Sequence, residues 1–556
     1  MSLVEASGWG WRYAGRRAWA IRDLDLTIDA GERVLLLGAS GAGKSTLLLA
    51  LAGVLGGSDE GTEAGRLLVD GQHPTRLAGR VGMVQQDPDS QAVLARIGDD
   101  VAFGCENLAI PRPAIWREVR RSLDAVGLGL PLTHPTHALS GGQKQRLAIA
   151  GLLAMQGAAA ERRPGVLLLD EPTANLDPTG VGEVRLAIEH VLADRRTTLI
   201  VVEHHVDVWQ DLIDRVIVLG PAGLVADGDP AAVFSAHGRE LADAGVWVPG
   251  VPLPVVPRHQ RTRPENVNPA HEVADPGVTQ PLQNPVTPIP LTGVVGVRPP
   301  TGGDSVAQPL QNPATALEMA GIAGVRPPAP ILHTEDLAVG YAAGAVVQSD
   351  INVALPRGVS TVITGPNGVG KSTLALTLAG LLPQLTGHVV ASEPLRPPPA
   401  NRRQRRVPDL ADPHDWTSAQ LLTRLGTVFQ EAEHQFVAAT VRDELATGLA
   451  TLRWAGARIA ARVDELLATL HLADLAEANP FTLSGGEKRR LSVGSILAGG
   501  PEIIVLDEPT FGQDRTTWID LVRLIMSLLD VGRTVVSVTH DRAFLAVLGE
   551  HRIELS

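Results

Sequence analysis

One set of four short motifs occurs twice along this chain of 556 residues, in the same order and at similar spacing. The first set consists of GASGAGKST at 38–46, LSGGQ at 139–143, LLLDEPTANLD at 167–177 and VVEHH at 201–205. The second set consists of GPNGVGKST at 365–373, LSGGE at 483–487, IVLDEPTFGQD at 504–514 and VTHD at 538–541. This duplication predicts two similar domains in tandem, over residues 1–245 and 331–556.

Apolar runs without polar alternation precede motifs in both copies. They are RVLLLG, VLLLD and TLIVV in the first copy and STVIT, IIVLD and TVVSV in the second. Such runs are typical of strands buried on both faces, and helical segments such as KSTLLLALAGVL lie between them. We therefore predict an α/β fold in which each domain has a mainly parallel sheet sandwiched by helices, with the motifs at the carboxyl ends of the strands.

The region between the copies, residues 246–330, is predicted to be a Pro-rich linker without stable structure. Residues 250–330 contain seventeen of the 41 prolines, and QPLQNP occurs at 280 and again, 28 residues later, at 308. A segment of this composition buries little apolar surface. We interpret the repeat as a duplicated spacer, with a docking motif as the alternative.

Charge and cysteine content narrow the possible partners. The chain carries 48 basic and 61 acidic residues, a net charge of −13, which argues against nucleic acid as a general partner. Its one cysteine, Cys105, excludes an internal disulfide and a Cys-cluster zinc site. The N-terminus does not resemble a signal peptide and no stretch reaches 18 uncharged apolar residues, so we expect a cytosolic chain that does not span a membrane.

Each copy contains a complete phosphate-binding loop between a strand and a helix. Glycines let the backbone wrap closely around an anion, and the following helix points free N–H groups at the phosphates. The lysine supplies a compact charge between the β- and γ-phosphates, and the serine after it suits Mg²⁺. We therefore predict that ATP and Mg²⁺ are bound by Gly38, Ser40, Gly41, Gly43, Lys44, Ser45 and Thr46 and by Gly365, Asn367, Gly368, Gly370, Lys371, Ser372 and Thr373.

An Asp-Glu pair ends the second apolar strand of each copy. Asp170 and Asp507 suit binding of Mg²⁺ through water, whereas the adjacent Glu171 and Glu508 suit orienting or deprotonating the attacking water. We therefore predict Mg²⁺-dependent ATP hydrolysis with these two glutamates as the catalytic bases.

With these loops and pairs in place, LSGGQ and LSGGE make the chain resemble the ABC-type ATPases, whose signature segments they are, over about residues 1–245 and 331–556. The resemblance implies two P-loop NTPase domains, each with a helical signature subdomain. It also implies that the signature of one domain contacts the ATP bound by the other, so that the copies pair head to tail within one chain. The signature residues are Ser140, Gly141, Gly142 and Gln143 in the first copy and Ser484, Gly485, Gly486 and Glu487 in the second.

The same resemblance implies roles for further residues. Tyr13 and Tyr341 match the aromatic residue that stacks on adenine. Gln86 and Gln430 match the glutamine that reaches Mg²⁺ and the attacking water, and His204 and His540 match the switch histidine that contacts the γ-phosphate. Departures from the family pattern are Glu203 and His205 in the first copy and Gln513 in the second; Asp177 and Asp514 match the aspartate of the loop that crosses the interface.

The stretches 86–110 and 431–448 resemble the energy-coupling-factor class of vitamin and metal-ion importers, with Asp89 and Gln91 carrying the likeness. That class implies an ATPase on the cytoplasmic face of the membrane, an integral membrane coupling subunit and a small substrate-binding membrane subunit. The alternative is a tandem ABC ATPase acting on ribosomes, although such proteins have a basic helical linker. A DNA-repair ABC ATPase is disfavoured because zinc cysteines and a long coiled coil are missing from the sequence.

The two composite sites are predicted to be unequal. The loop at Lys44 faces LSGGE in a head-to-tail pair, which places the carboxylate of Glu487 where the other site has neutral Gln143. A carboxylate near a polyphosphate weakens its binding unless Lys488 or Arg489 neutralises it. We therefore expect slower turnover at the Lys44 site.

Overall fold

The computed structural model describes residues 2–258 and 329–556, except 17, 40, 58–59, 78–79, 87–90, 159–164, 175, 177, 194–196, 221–222, 342–344 and 399–409. Ser40, Asp89, Asp177 and the linker repeat lie outside the described residues, so the predictions made for them stay predictions.

The first copy alternates strands and helices after an antiparallel start. Its strands are β1 (Ser2–Tyr13), β2 (Ile21–Asp29), β3 (Arg33–Gly38), β4 (Gly61–Val69), β5 (Val81–Val84), β6 (Val166–Asp170), β7 (Thr198–Val202), β8 (Arg215–Gly220) and β9 (Gly223–Gly228). Its helices are α1 (Lys44–Leu51), α2 (Ile97–Asn107), α3 (Arg112–Ala125), α4 (Gly141–Ala158), α5 (Pro178–Leu192), α6 (Val206–Trp209) and α7 (Pro230–Asp243).

The second copy repeats this order. Its strands are β10 (Pro330–Gly340), β11 (Val346–Ile351), β12 (Ala354–Pro356), β13 (Ser360–Thr364), β14 (Thr386–Ala391), β15 (Leu425–Val428), β16 (Ile503–Asp507), β17 (Thr534–Val538) and β18 (His551–Glu554). Its helices are α8 (Lys371–Leu378), α9 (Ser418–Leu422), α10 (Val441–Thr451), α11 (Gly456–Thr469), α12 (Gly485–Ala498), α13 (Arg515–Asp530) and α14 (Arg542–Leu548).

A parallel sheet forms the centre of each copy. In the first copy the strand order is β5-β6-β7-β3-β8-β9, with only the β8–β9 pair antiparallel, and in the second it is β15-β16-β17-β13-β18. Alternate residues of β3 enter different cores: Leu35 and Leu37 pack with the helices α2–α5, whereas Val34 and Leu36 pack with β1, β2 and α1. The predicted α/β fold with sheets sandwiched by helices is therefore confirmed.

In each copy the phosphate loop and the Asp-Glu pair lie at the same edge of the parallel sheet. Because β3 and β6 run parallel, with β7 between them, the phosphate loop after β3 and the Asp-Glu pair at the end of β6 lie on the same side. The same relation holds for β13 and β16 in the second copy. Among the described residues, no helix is both long and apolar enough to cross a membrane.

Residues 244–258, here called the crossing segment, run from the end of α7 onto the second copy. Leu253 and Val255 pack into the core of the second copy, and Arg258 forms an ion pair with Glu550 at 3.3 Å. The predicted linker begins at residue 246, yet the structure shows residues 246–258 packed on both copies, because Val246 and Val248 enter the core of the first copy and Val255 enters that of the second. The domain boundaries themselves stay a prediction.

Candidate nucleotide sites

Glycines shape both phosphate loops where no side chain fits. Gly38 has φ 149°, and a Cβ there would lie 2.3 Å from the carbonyl oxygen of Leu219. Gly365 has φ 146°, and a Cβ there would lie 2.4 Å from the carbonyl oxygen of Leu555. Both loops therefore need glycine to turn from the sheet into the helix. Left-handed backbone also occurs at Gly41, Gly43, Gly368 and Gly370.

The two loop lysines are buried and point back into their own loops. Lys44 Nζ donates to the carbonyl oxygens of Gly38 at 2.8 Å and Ala39 at 3.0 Å. Lys371 Nζ donates to the two equivalent carbonyl oxygens at 2.9 Å each. Burial lowers the pKa of Lys44, against the opposing effects of Glu171 and Asp170. Each ammonium group thus lies within its own phosphate loop, where it can pair with a bound phosphate.

The serine after each lysine meets the aspartate that ends the neighbouring strand. Ser45 is hydrogen-bonded to Asp170, and Ser372 to Asp507. Burial raises the pKa of both aspartates. In the part of the chain that the structure describes, Asp507 Oδ1 is buried without a hydrogen-bond partner, as an oxygen that faces a cation would be. This hydroxyl and carboxylate pair fits Mg²⁺, whose remaining ligands are phosphate oxygens and water.

Both catalytic candidates have the same unusual backbone. Glu171 has φ 48° and Glu508 has φ 44°, the left-handed region that non-glycine residues rarely occupy. Their backbone N–H groups donate at 2.9 Å to Val202 O and Val538 O at the ends of the neighbouring strands. The fold therefore holds both glutamates in a strained position at the sheet edge, as often occurs at functional sites.

In the first copy, Glu171 is held by both of its predicted partners. His204 Nε2 lies 2.9 Å from Glu171 Oε1, and Gln86 Nε2 donates to Glu171 Oε2 at 2.8 Å. Burial alone would lower the pKa of His204, but the hydrogen bond and charge of Glu171 outweigh it and raise that pKa. Beneath them, burial raises the pKa of Glu203 to about 7 while Thr173 donates to its carboxylate. This departure from the family pattern is a buried carboxylate behind the switch histidine.

In the second copy, Glu508 is held less closely. His540 Nε2 lies 3.8 Å from Glu508 Oε1 and instead makes a 3.1 Å hydrogen bond with Asn367 Oδ1 of the phosphate loop. Thr539 is hydrogen-bonded to Glu508. Burial raises the pKa of Glu508 to about 7, opposed by that hydrogen bond. A carboxyl group with a pKa near neutrality suits a general base.

Arg489 is a site residue whose position the sequence did not reveal. Its guanidinium is buried and donates to the carbonyl oxygens of Gln430 at 2.7 Å and Glu508 at 3.3 Å. Burial lowers its pKa to about 10. Arg489 thus connects the backbone of the predicted glutamine with that of the predicted base, and it cannot also neutralise Glu487.

The predicted adenine contacts differ between copies. Tyr13 OH lies 3.2 Å from Thr46 Oγ1, which places its ring beside the first phosphate loop. Tyr341 is 71% exposed and lines the same cavity as Lys371. Stacking on adenine stays a prediction for both tyrosines.

The signature segments begin helices with reciprocal capping hydrogen bonds. Ser140 N donates to Gln143 Oε1 at 2.9 Å, and Gln143 N donates to Ser140 Oγ at 3.3 Å. Ser484 and Glu487 make the same pair, at 2.8 Å and 3.4 Å. Lys488 pairs with Glu433, so it is engaged away from Glu487. Helices α4 and α12 start with the glycines of these segments, which are Gly141, Gly142, Gly485 and Gly486.

A cavity of about 1130 Å³ lies between the copies. It is lined by Glu171 and His204 of the first copy and by Lys371, Glu508 and His540 of the second. The structure therefore brings both predicted bases and both predicted switch histidines to one interface. Contact of each signature segment with the opposite phosphate loop stays a prediction.

Comparison with known proteins agrees with this geometry. The sequence model of the ABC transporter family matches residues 21–174 and 348–511. A relative from Methanosarcina acetivorans, named "Putative ABC transporter ATP-binding protein", is 33% identical over 97% of this chain and 82% of its own length. A relative from Bacillus subtilis, named "Putative HMP/thiamine import ATP-binding protein YkoD", is 31% identical over 94% of this chain and 84% of its own length.

Among solved structures, the archaeal ribosome recycling factor aABCE1, in complex with the ribosomal stalk protein aP1, is 18% identical and has a TM-score of 0.56. The match covers 98% of this chain and 87% of that chain. At this identity, the likeness shows a shared tandem fold.

The duplicated loops, the paired carboxylates and the family match lead to one conclusion. The chain hydrolyses ATP with Mg²⁺ and belongs to the ABC transporter family, as an ATP-binding protein with two ABC ATPase domains.

Proposed function

We propose that this chain is the ATP-hydrolysing energy-coupling subunit of an importer of the energy-coupling-factor type, which drives uptake of a vitamin or a metal ion. The observation that carries the proposal is the 31% identity, across nearly the whole chain, to a protein named for HMP/thiamine import. The chain would act on the cytoplasmic face of the membrane, with a membrane coupling subunit and a small substrate-binding membrane subunit as partners.

A feature repeated in both copies supports a membrane partner. Gln91 is hydrogen-bonded to the backbone N and O of Gln85, and two residues later Val93 is 61% exposed. In the second copy Gln435 accepts from the backbone N–H of Phe429 and donates to the carbonyl oxygen of Thr427, and Val437 is 76% exposed.

In each copy a carboxylate also accepts hydrogen bonds from the backbone of the exposed valine and of the residue after it. The N–H groups of Val93 and the residue after it donate to Asp100 Oδ1 at 2.8 Å. Those of Val437 and the residue after it donate to Glu444 Oε2 at 2.9 and 2.8 Å. Each copy thus presents an exposed apolar side chain on a fixed loop a few residues from its catalytic glutamine, which suits a partner that must sense the nucleotide site.

In the proposed mechanism, equivalent residues of the two copies have the same role in ATP hydrolysis. ATP supplies the phosphoanhydride bond whose cleavage provides the energy. Lys44 and Lys371 hold the phosphates, and Glu171 and Glu508 take a proton from the attacking water. Gln86 and Gln430 each lie a few residues before the exposed valine of their copy, so a partner that contacts Val93 and Val437 is held close to both nucleotide sites.

The alternative is a tandem ABC ATPase that acts on ribosomes. The likeness to aABCE1 concerns the fold alone and lends this function no support at 18% identity. A net charge of −13 and a Pro-rich linker also fit poorly with binding to RNA.

Affinity purification in mild detergent tests the proposal. The tagged chain, expressed in cells that carry its natural membrane proteins, should retain integral membrane proteins in constant proportion. Val93→Asp combined with Val437→Asp should reduce their recovery about tenfold, because a charge must then be buried at the contact. Val531→Asp is the matched control, since Val531 is 74% exposed in the turn after α13. Recovery of ribosomal subunits in place of membrane proteins would favour the alternative.

A further inference from the structure

Trp247, in the crossing segment, is paired through its backbone with the switch loop of the first copy. Its N–H donates to the carbonyl oxygen of His204 at 2.9 Å, and its own carbonyl oxygen accepts from Val206 N at 3.3 Å. These two bonds form a parallel bridge beside His205. The backbone of the switch histidine is therefore fixed by a residue outside the four motifs.

The side chain of Trp247 reaches the second copy. Its ring stacks on His205 at 5.4 Å between centroids and meets Trp518 edge to face at 5.5 Å. Its Nε1–H donates to the carbonyl oxygen of Gln513 at 3.1 Å. The indole thus contacts the first copy through His205, a departure from the family pattern, and the second copy through Trp518 and the backbone of Gln513.

Trp247 forms hydrogen bonds with the loops that contain His204 and Gln513, and both loops lie at the site of Lys44. His204 contacts Glu171 directly, and Asp514, the next residue after Gln513, is close enough for its charge to act on Lys44. The crossing segment also packs on Asp514, because a Cβ at Gly245 would lie 3.0 Å from Asp514 Oδ1. The segment therefore touches this site from both copies.

The second copy has a different arrangement behind its switch histidine. The residue after His540 is Asp541, whose carboxylate accepts from Ala543 N at 2.8 Å and Phe544 N at 3.1 Å and so caps α14. It also accepts a hydrogen bond from Trp518 Nε1. The position that stacks on an indole in the first copy thus serves as a helix cap in the second.

We propose that Trp247 is a positioning residue for ATP hydrolysis at the Lys44 site, where it holds the switch loop of the first copy against the loop 509–514 of the second. The proposal rests on the catalytic roles proposed for Glu171 and Glu508, and it is independent of what the protein transports. Removing the indole should let His204 and Asp514 move apart, which slows the Lys44 site and leaves the Lys371 site nearly unchanged.

The test compares one substitution in two backgrounds of the full-length chain. Glu508→Gln leaves hydrolysis to the Lys44 site, and Glu171→Gln leaves it to the Lys371 site. Adding Trp247→Ala should lower turnover at saturating ATP about fivefold or more in the first background and less than about twofold in the second. Trp247→Phe, which keeps a ring but loses the donor to Gln513, should restore part of the loss.

Controls make each outcome decisive. Trp454→Ala is a matched substitution, because Trp454 stacks on Arg458 and does not line the cavity between the copies. It should not change the ratio between the backgrounds. Equal losses from Trp247→Ala in both backgrounds, a larger loss in the Glu171→Gln background, or no loss in either would overturn the proposal. If Trp247→Ala fails to fold, the same comparison with Trp247→Phe decides it. A wrong assignment of the bases shows earlier, because the two parent backgrounds then keep full turnover.

Discussion

Glu171 and Glu508 occupy equivalent positions with nearly identical backbone angles, yet their surroundings differ. Both carboxylate oxygens of Glu171 already accept a contact, one from His204 and one from Gln86. Glu508 has neither contact at that distance, because His540 turns toward Asn367. Before Glu171 can take a proton from water, one of its oxygens must accept a hydrogen bond from the water as well, or its contact with His204 or Gln86 must lengthen.

The different surroundings of the two glutamates suggest that the two nucleotide sites differ in rate and in control. In the first copy, two residues without a counterpart in the family pattern surround the predicted switch histidine, namely Glu203 within the VVEHH motif and Trp247 outside the motifs. In the second copy, Asn367 in the phosphate loop draws the histidine to the place where a γ-phosphate is expected. We therefore infer that the Lys371 site is the faster of the two and the Lys44 site the more tightly controlled.

Removing both bases should produce the largest effect. Glu171→Gln with Glu508→Gln should lower ATPase turnover by about a hundredfold or more, because the amide cannot take a proton, while ATP binding persists. Lys44→Ala with Lys371→Ala should instead abolish ATP binding, since the phosphates lose their charge partner. Equilibrium binding of ATP measured beside turnover separates the two pairs. Unchanged turnover in the double Gln variant would contradict both assignments.

A pH profile should sharpen the comparison. Burial raises the pKa of Glu508 to about 7, so the carboxyl group is protonated and inactive as a base below that pH. In the Glu171→Gln background, turnover should rise about tenfold between about pH 6 and pH 8 as Glu508 loses its proton. The double Gln variant supplies the baseline. A flat profile over this range would show that Glu508 does not limit hydrolysis.

Exchanging the signature residues tests whether Glu487 weakens the Lys44 site. In a Glu508→Gln background, Glu487→Gln should tighten ATP or raise turnover by about twofold to fivefold, because a negative charge leaves the polyphosphate. The capping bond to Ser484 survives the exchange, since Gln143 makes the same bond to Ser140. Gln143→Glu in a Glu171→Gln background should have the opposite effect. If neither substitution changes affinity or turnover, the charge does not explain the inequality.

The smallest expected effect is the contribution of Glu203 to the pH dependence of the protein's stability. Burial raises its pKa to about 7 in the folded protein, above its ordinary value of 4.5. The folded state thus binds this proton more tightly than the unfolded state, so protonation of Glu203 stabilises the fold. This stabilisation is complete below about pH 4.5 and is lost as the pH rises through 7. Between about pH 5.5 and 8 the loss is on the order of 2 kcal/mol. Thermal unfolding of Glu203→Gln should show a weaker dependence on pH than the unchanged protein, and equal slopes would contradict this.

Much of the fold and the presence of two nucleotide sites could be predicted from the sequence. The apolar runs without alternation specify buried parallel strands, and the glycine spacing specifies phosphate loops, because these are local patterns with few structural solutions. The structure accordingly places Lys44 with Asp170, and Lys371 with Asp507, at the sheet edge.

The contacts that distinguish the two sites could not be predicted in the same way. They join residues far apart in sequence, such as Trp247 with Gln513 or Arg489 with Gln430, and no local pattern marks such pairs. One signal was available for Trp247: it is an aromatic residue at the start of a segment that otherwise consists largely of proline and valine.

The most direct test of unequal sites is to measure steady-state turnover of the two single variants under the same conditions. We predict that Glu508→Gln alone removes most of the ATPase activity, because it silences the faster site, whereas Glu171→Gln alone removes the smaller share. A larger loss from Glu171→Gln, or equal losses together with no response to Glu487→Gln in the Glu508→Gln background, would contradict the account.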